Sequence, residues 1–213
     1  MRKDMSQEML YPRSDGGLSA GHPQPTPSIG VWHLLGHNIG AGDDLGGAFA
    51  WVIAAHCNPG SEAFVPALGM GREAFSRLLA ERFSHFAPSE AWTAAQGAAL
   101  QRTGLLEEFD DLLQLLLEHA AVNDEHHRRV AHLVATACMG HDHLWQDLGL
   151  PNRQALSILL TTHFPALAAK NSGDMKWKKF FYKQLCEREG INICKSPSCG
   201  VCCDYDICFG PED

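Results

Sequence analysis

The sequence predicts an all-α fold: a compact helical domain, a disordered segment before it, and a C-terminal cysteine-rich metal-cluster loop after it. Three observations predict this. From Val31 onward, apolar residues recur at spacings of three and four, which places them on one face of a helix. No stretch shows the strict apolar–polar alternation of a half-buried strand. Turn formers and capping residues stand at the ends of the periodic stretches, where helices start and stop.

Residues 1–29 are rich in Gly, Pro, Ser and Gln without periodicity and read as a disordered segment. The helical domain spans 30–190. Leu45 to Ala55 reads as a buried helix of small residues, ended by Asn58-Pro59-Gly60. Glu73 to Phe83 puts Phe75, Leu78, Leu79 and Phe83 on one face. Pro88-Ser89 supplies a turn and an N-cap for an Ala-rich helix to Leu100. Gly104 opens an amphipathic helix through Leu105, Phe109, Leu112, Leu113 and Leu116. Asn123 or Asp124 caps the next, whose stripe is Val130, Leu133, Val134 and Ala137, with Gly140 as its end. A turn from His141 to Leu148 follows. Pro151-Asn152 starts a helix through Leu156, Leu159 and Leu160 that Pro165 stops. Asp174 is expected to cap a last helix bearing Trp177, Phe180, Phe181 and Leu185, with Gly190 as its C-cap.

The chain has 213 residues, enough for one well-packed domain. Its formal charge of −8 argues against a general nucleic-acid binder. The N-terminus has basic residues but no apolar run after them, so no signal peptide is readable. The longest uncharged stretch, Leu45 to Ser61, is short for a bilayer and holds His56, Asn58 and Pro59, which argues against a membrane span. The expectation is a cytoplasmic protein, where clustered cysteines serve as metal ligands rather than disulfides.

Six of the eight cysteines follow residue 185. Cys194, Cys199, Cys202 and Cys208 are spaced x4, x2 and x5 in the segment 191–213, separated by short polar turn formers. Four thiolates so close can wrap one soft metal centre. The C-x4-C-x2-C part repeats plant-type ferredoxins, whereas zinc ribbons present two C-x2-C knuckles. Iron–sulfur is therefore favoured over zinc, with a disulfide knot as the bland alternative. Cys203, beside Cys202, keeps a second register open, and Cys186 is either a fifth thiolate or a packed helix-end residue. Cys57 and Cys138 read as buried packing residues.

The run Asp142-His-Leu-Trp-Gln-Asp-Leu-Gly-Leu150, then Phe164-Pro, Asn171, Met175-Lys-Trp-Lys-Lys-Phe-Phe-Tyr182 and Leu185-Cys186, resembles the NifQ family of nitrogen-fixation proteins. The tail Cys194-x4-Cys199-x2-Cys202-x5-Cys208-Phe-Gly210 resembles that family's cysteine signature. The resemblance implies a metallocluster carrier rather than a conventional enzyme. Its cofactor would be an iron–sulfur cluster of [4Fe-4S] or [Mo-3Fe-4S] type. It would take molybdenum from molybdate or a molybdenum storage source and donate it to iron–molybdenum cofactor assembly, with the scaffold NifEN and NifH as recipient. Cys194, Cys199, Cys202 and Cys208 are then the ligand candidates. The rival classes are a structural zinc-binding interaction module and an iron–sulfur electron carrier.

Two further groups qualify as candidates. His119, Glu125, His126, His127, His132, His141 and His143 crowd one region and could supply a harder ligand for molybdenum, although a solvated helix face explains most of them. His143, inside the run that resembles the family, is the foremost of these. Lys170 to Lys195 carries seven basic residues against three acidic ones, either a docking surface centred on Lys176, Lys178 and Lys179 or the wet side of a helix.

Overall fold

The computed structural model describes residues 44–59, 61, 63–84, 86–100, 107–190 and 205–212. Among them every regular element is helical. Helix α1 (Asp44–His56) is followed by a 3-10 turn (Pro66–Gly69), α2 (Arg72–Arg82), α3 (Glu90–Leu100), α4 (Glu107–Glu118) and α5 (Glu125–Cys138). Then come a short α6 (Leu144–Asp147), α7 (Arg153–His163), a single turn α8 (Pro165–Ala168), α9 (Trp177–Arg188) and a last short α10 (Tyr205–Phe209). The predicted N-terminal segment and the start near Gly104 lie outside the described residues.

Helix α5 is the centre. Val130, Ala131, Leu133, Val134, Ala135 and Ala137 are wholly buried, and α1, α4, α6 and the 3-10 turn all pack on it. Small side chains on α5 let these neighbours approach closely, and apolar burial on this scale supplies the main folding drive. Helix α1 is apolar nearly all round, with Phe49, Ala50, Val52 and Ile53 fully buried, as an enclosed helix must be. Helix α9 lies against α4 and seals the core with Trp177, Phe180 and Phe181.

Most helix boundaries follow the expected chemistry. Ser89 Oγ accepts from Trp92 N–H, Asn152 Oδ1 from Ala155 N–H, and Asp124, not Asn123, caps α5 by accepting from His127 N–H. Gly190, at φ +67°, is the left-handed residue beyond α9. Gly149 also needs its positive φ, and a Cβ there would lie 2.4 Å from the Trp51 side chain.

Pro165 stops α7 as expected, since the helix ends at His163 with Phe164 outside it, and it also stands first in α8, where its missing N–H costs nothing. Two expectations are corrected. The segment from His141 to Leu148 is more than a turn, since it contains α6. Asp174 does not cap α9. It takes φ +53°, its carboxylate accepts from Arg153, and α9 begins after Lys176 with no side-chain cap. Asn171 does the local work instead, accepting from Met175 N–H and donating to Met175 C=O.

Candidate metal centre

Cys194, Cys199, Cys202 and Cys203 lie outside the described residues. The last of the quartet, Cys208, lies within them, and the fold fixes where it sits. Cys208 is half-buried on α10 and packs with Phe209 against the core cluster. Lys176 N–H, at the start of α9, donates to Cys208 C=O at 2.7 Å, and Lys176 Nζ reaches Asp206 C=O at 3.3 Å. The backbone bond costs α9 nothing, because the N–H groups of a helix entry have no partner within the helix.

Beyond Cys208 the chain is clamped. Glu212, whose side chain is only 5% exposed, accepts from Arg153 Nη1 at 2.5 Å and stands 3.7 Å from His143 Nδ1. The other Arg153 nitrogen, Nη2, donates to Asp174 Oδ1 at 2.8 Å and to the Asp174 and Met175 carbonyls at 3.0 Å. One guanidinium thus ties the tail to the loop before α9, using the fork geometry that suits carboxylates. Nothing in the sequence marks out Arg153 and Glu212. A basic residue at a helix start and an acid near the terminus carry no local signal, because 59 residues separate them.

The clamp brings His143 to the cysteine tail, a meeting that no local pattern announces. Burial holds its imidazole below the ordinary range, while Glu212 pulls the other way. Its backbone N–H donates to Gln146 Oε1 at 3.1 Å, fixing the start of α6. Beside the tail, Lys170, Met175, Phe180, Lys183, Gln184 and Phe209 help line a cleft of about 630 Å³.

The remaining cysteines divide cleanly. Cys57 and Cys138 are buried, and burial pushes each thiol up to about 12, so both are inert packing groups. Cys186 is half-buried near the end of α9, its thiol also raised by burial. A metal there would have to displace the thiol proton, which burial favours.

Of the other candidate histidines, His119 and His132 are engaged away from the tail. His119 Nδ1 lies 2.9 Å from Leu115 C=O, and its Nε2 lies 2.9 Å from Lys170 Nζ. His132 Nδ1 reaches Leu68 C=O at 3.0 Å, on the strained 3-10 turn, and Glu125 pairs with Arg129. The basic cluster is also revised. Lys178 is no docking cation: its Nζ is bonded to buried Asp147 and, at 2.8 Å, to Gly140 C=O. Burial raises the Asp147 carboxyl, and Lys178 opposes that shift. His56, buried beside the pair and driven down to about 4 chiefly by burial, completes a polar core that sequence reasoning missed.

A family model described as NifQ matches residues 48–210, which runs from within α1 through α10 and takes in all five tail cysteines. The chain belongs to the NifQ family. That membership places it in nitrogen fixation and the handling of molybdenum. Protein NifQ of Azotobacter vinelandii is 41% identical over 152 residues, 68% of this chain and 78% of that one. A NifQ homolog of Sinorhizobium fredii is 49% identical over 96 residues, covering 45% of this chain and 42% of its own. Protein NifQ of Rhodobacter capsulatus is 43% identical over 98 residues, 46% of this chain and 54% of its own. No solved structure matches. Among the described residues no helix is long and apolar enough to cross a membrane.

Proposed function

We propose that this NifQ-family protein carries molybdenum on an iron–sulfur cluster held by its C-terminal cysteines and donates it to nitrogenase cofactor assembly. The observation that carries the reading is the anchoring of Cys208 on the helical domain. Lys176 holds its carbonyl, and the Arg153–Glu212 pair closes the chain four residues later. A ligand set meant to grip one cluster and release part of it needs a rigid base, and the anchored end supplies one.

The residues that would hold the cluster are Cys194, Cys199, Cys202 and Cys208, with Cys203 as the alternative to Cys202. When bound, the cluster supplies soft bridging sulfides that retain reduced molybdenum, which thiolates alone hold poorly as molybdate. His143, next to the anchored end, is the candidate nitrogen donor for the molybdenum corner. An exchangeable ligand there keeps a position open for departure. Cys186 is a reserve thiolate. The role is that of a carrier rather than a catalyst, with molybdate or a storage source upstream and NifEN with NifH downstream.

The test is transfer. Protein purified without oxygen and loaded with molybdenum is mixed with NifEN and NifH, and molybdenum is then followed to the scaffold. Transfer that disappears in Cys208→Ala supports the proposal; transfer that survives loss of the tail thiols overturns it. A colourless zinc protein would favour the structural zinc module, and iron without molybdenum would favour the electron carrier.

A further inference from the structure

A second group of ligand-type side chains meets away from the cysteine tail. His126 and His127 stand in the first turn of α5, and His163 closes α7. Their ring centroids lie 5.3, 5.3 and 5.2 Å apart, with the rings inclined at 90°, 55° and 63°. Two details go beyond ring packing. Asp124 Oδ1 lies 2.8 Å from His127 Nδ1 and also accepts from His127 N–H, so the carboxylate holds the Nδ1 side of the ring, as carboxylates behind metal-bound imidazoles do. His163 is 8% exposed, yet its Nδ1 is buried with no hydrogen-bond partner. A buried polar atom left in that state is costly unless something fills it.

We infer that His126, His127 and His163 form a binding site for one divalent transition-metal ion of the zinc, cobalt or iron(II) class. An ion with tetrahedral nitrogen ligands at about 2.0–2.1 Å sets imidazole centroids roughly 5 Å apart, the separation found here. As they stand, the described side chains do not gather three donors around one point. His126 is exposed, so it is the ring that turns about its side-chain torsions to close the site. Burial, with the neighbouring rings, holds His126 and His163 below the ordinary imidazole range. Imidazole nitrogens are the commonest protein ligands for ions of this class.

The surrounding charge permits a cation. Arg129 is paired with Glu81 and Glu125 and Asp124 adds a carboxylate, while Arg82, over the Phe49 ring, stays a positive neighbour of His126 that these carboxylates offset. Three protein ligands leave a fourth position for water or an exchangeable donor. The site is also separate from the tail. His163 and Arg153 end the same 11-residue helix, about 15 Å apart by helical rise.

The test uses the full chain with Cys194→Ser, Cys199→Ser, Cys202→Ser, Cys203→Ser and Cys208→Ser, so its outcome is independent of any cluster. Co²⁺ is titrated and visible absorption recorded. One equivalent should bind, with d–d bands and no thiolate-to-cobalt charge transfer, and affinity should be at least tenfold weaker in His126→Gln and in His163→Gln. Because His126 is exposed, its variant keeps the fold even if the His163 variant does not. Undiminished Co²⁺ affinity in His126→Gln, thiolate charge transfer, or no Co²⁺ bands in the parent would each overturn it.

Discussion

Replacing Arg153 with Met removes the guanidinium that ties the C-terminal residues to the helical domain while keeping an unbranched side chain on α7. The magnitude is set by the two carboxylates the guanidinium holds. The bond to Glu212 is mostly desolvated, since that side chain is 5% exposed, whereas the Asp174 side chain is 79% exposed and adds little. A charged hydrogen bond of the first kind contributes about 2–3 kcal/mol. Its removal raises the undocked population of residues 205–212 roughly 30- to 150-fold. Hydrogen exchange read by mass spectrometry is the assay. Peptides covering 205–212 should exchange faster by about that factor, while α5, wholly buried at its centre, stays protected. Glu212→Gln should move the same peptides in the same direction by less. If the tail peptides are unaffected, or if α5 loosens equally, the clamp is not a local device and Cys208 is not anchored by it.

Three other outcomes rest on the same structure. Lys178→Met leaves the Asp147 carboxylate buried without its cation and should cost about 3–5 kcal/mol in denaturant unfolding, whereas Lys183→Met, at an exposed site, should cost little. Stability should be complete above pH 6.5 and fall toward pH 4. His56 is held down to about 4 in the fold but takes a proton near 6.5 once unfolded; the unfolded chain binds the extra proton in that window, a loss of about 3 kcal/mol that His56→Leu should remove in pH-dependent melting, leaving the part that His163, also held down to about 4, contributes in the same window. Gly149→Ala should destabilise the fold by a few kcal/mol, since it combines a positive φ with close approach to Trp51, while Gly71→Ala, with open space around it, should not; thermal melts of the two compare them directly.

What a sequence can say depends on how far its signals reach. Ser89, Asn152 and Gly190 act within one helical turn, so their residue types alone place helix ends correctly, while the choice between Asn123 and Asp124 needed the structure. The stripes on α2, α4 and α5 do the same for the core, because burial repeats with the helical period. Lys178 reads as one more cation on a wet face, since nothing near it in the chain announces Asp147, 31 residues away. Asp174 reads as a cap because its residue type favours one, but Arg153 and a left-handed backbone claim it. The meeting of His163 with His126 and His127, and of Glu212 with Arg153 and His143, is likewise tertiary and invisible to local patterns. The cysteine spacing, by contrast, is a local pattern that the sequence displays directly, and the fold adds to it only the place of Cys208.

The most direct measurement is iron, sulfide and molybdenum content, with electron paramagnetic resonance, on protein purified without oxygen, beside Cys→Ala variants at 194, 199, 202, 203 and 208. The parent should hold iron and molybdenum with a paramagnetic cluster signal, lost in Cys208→Ala and unchanged by Cys57→Ala. A parent holding neither metal, or a Cys208→Ala protein with its signal intact, would contradict the cluster-carrier role.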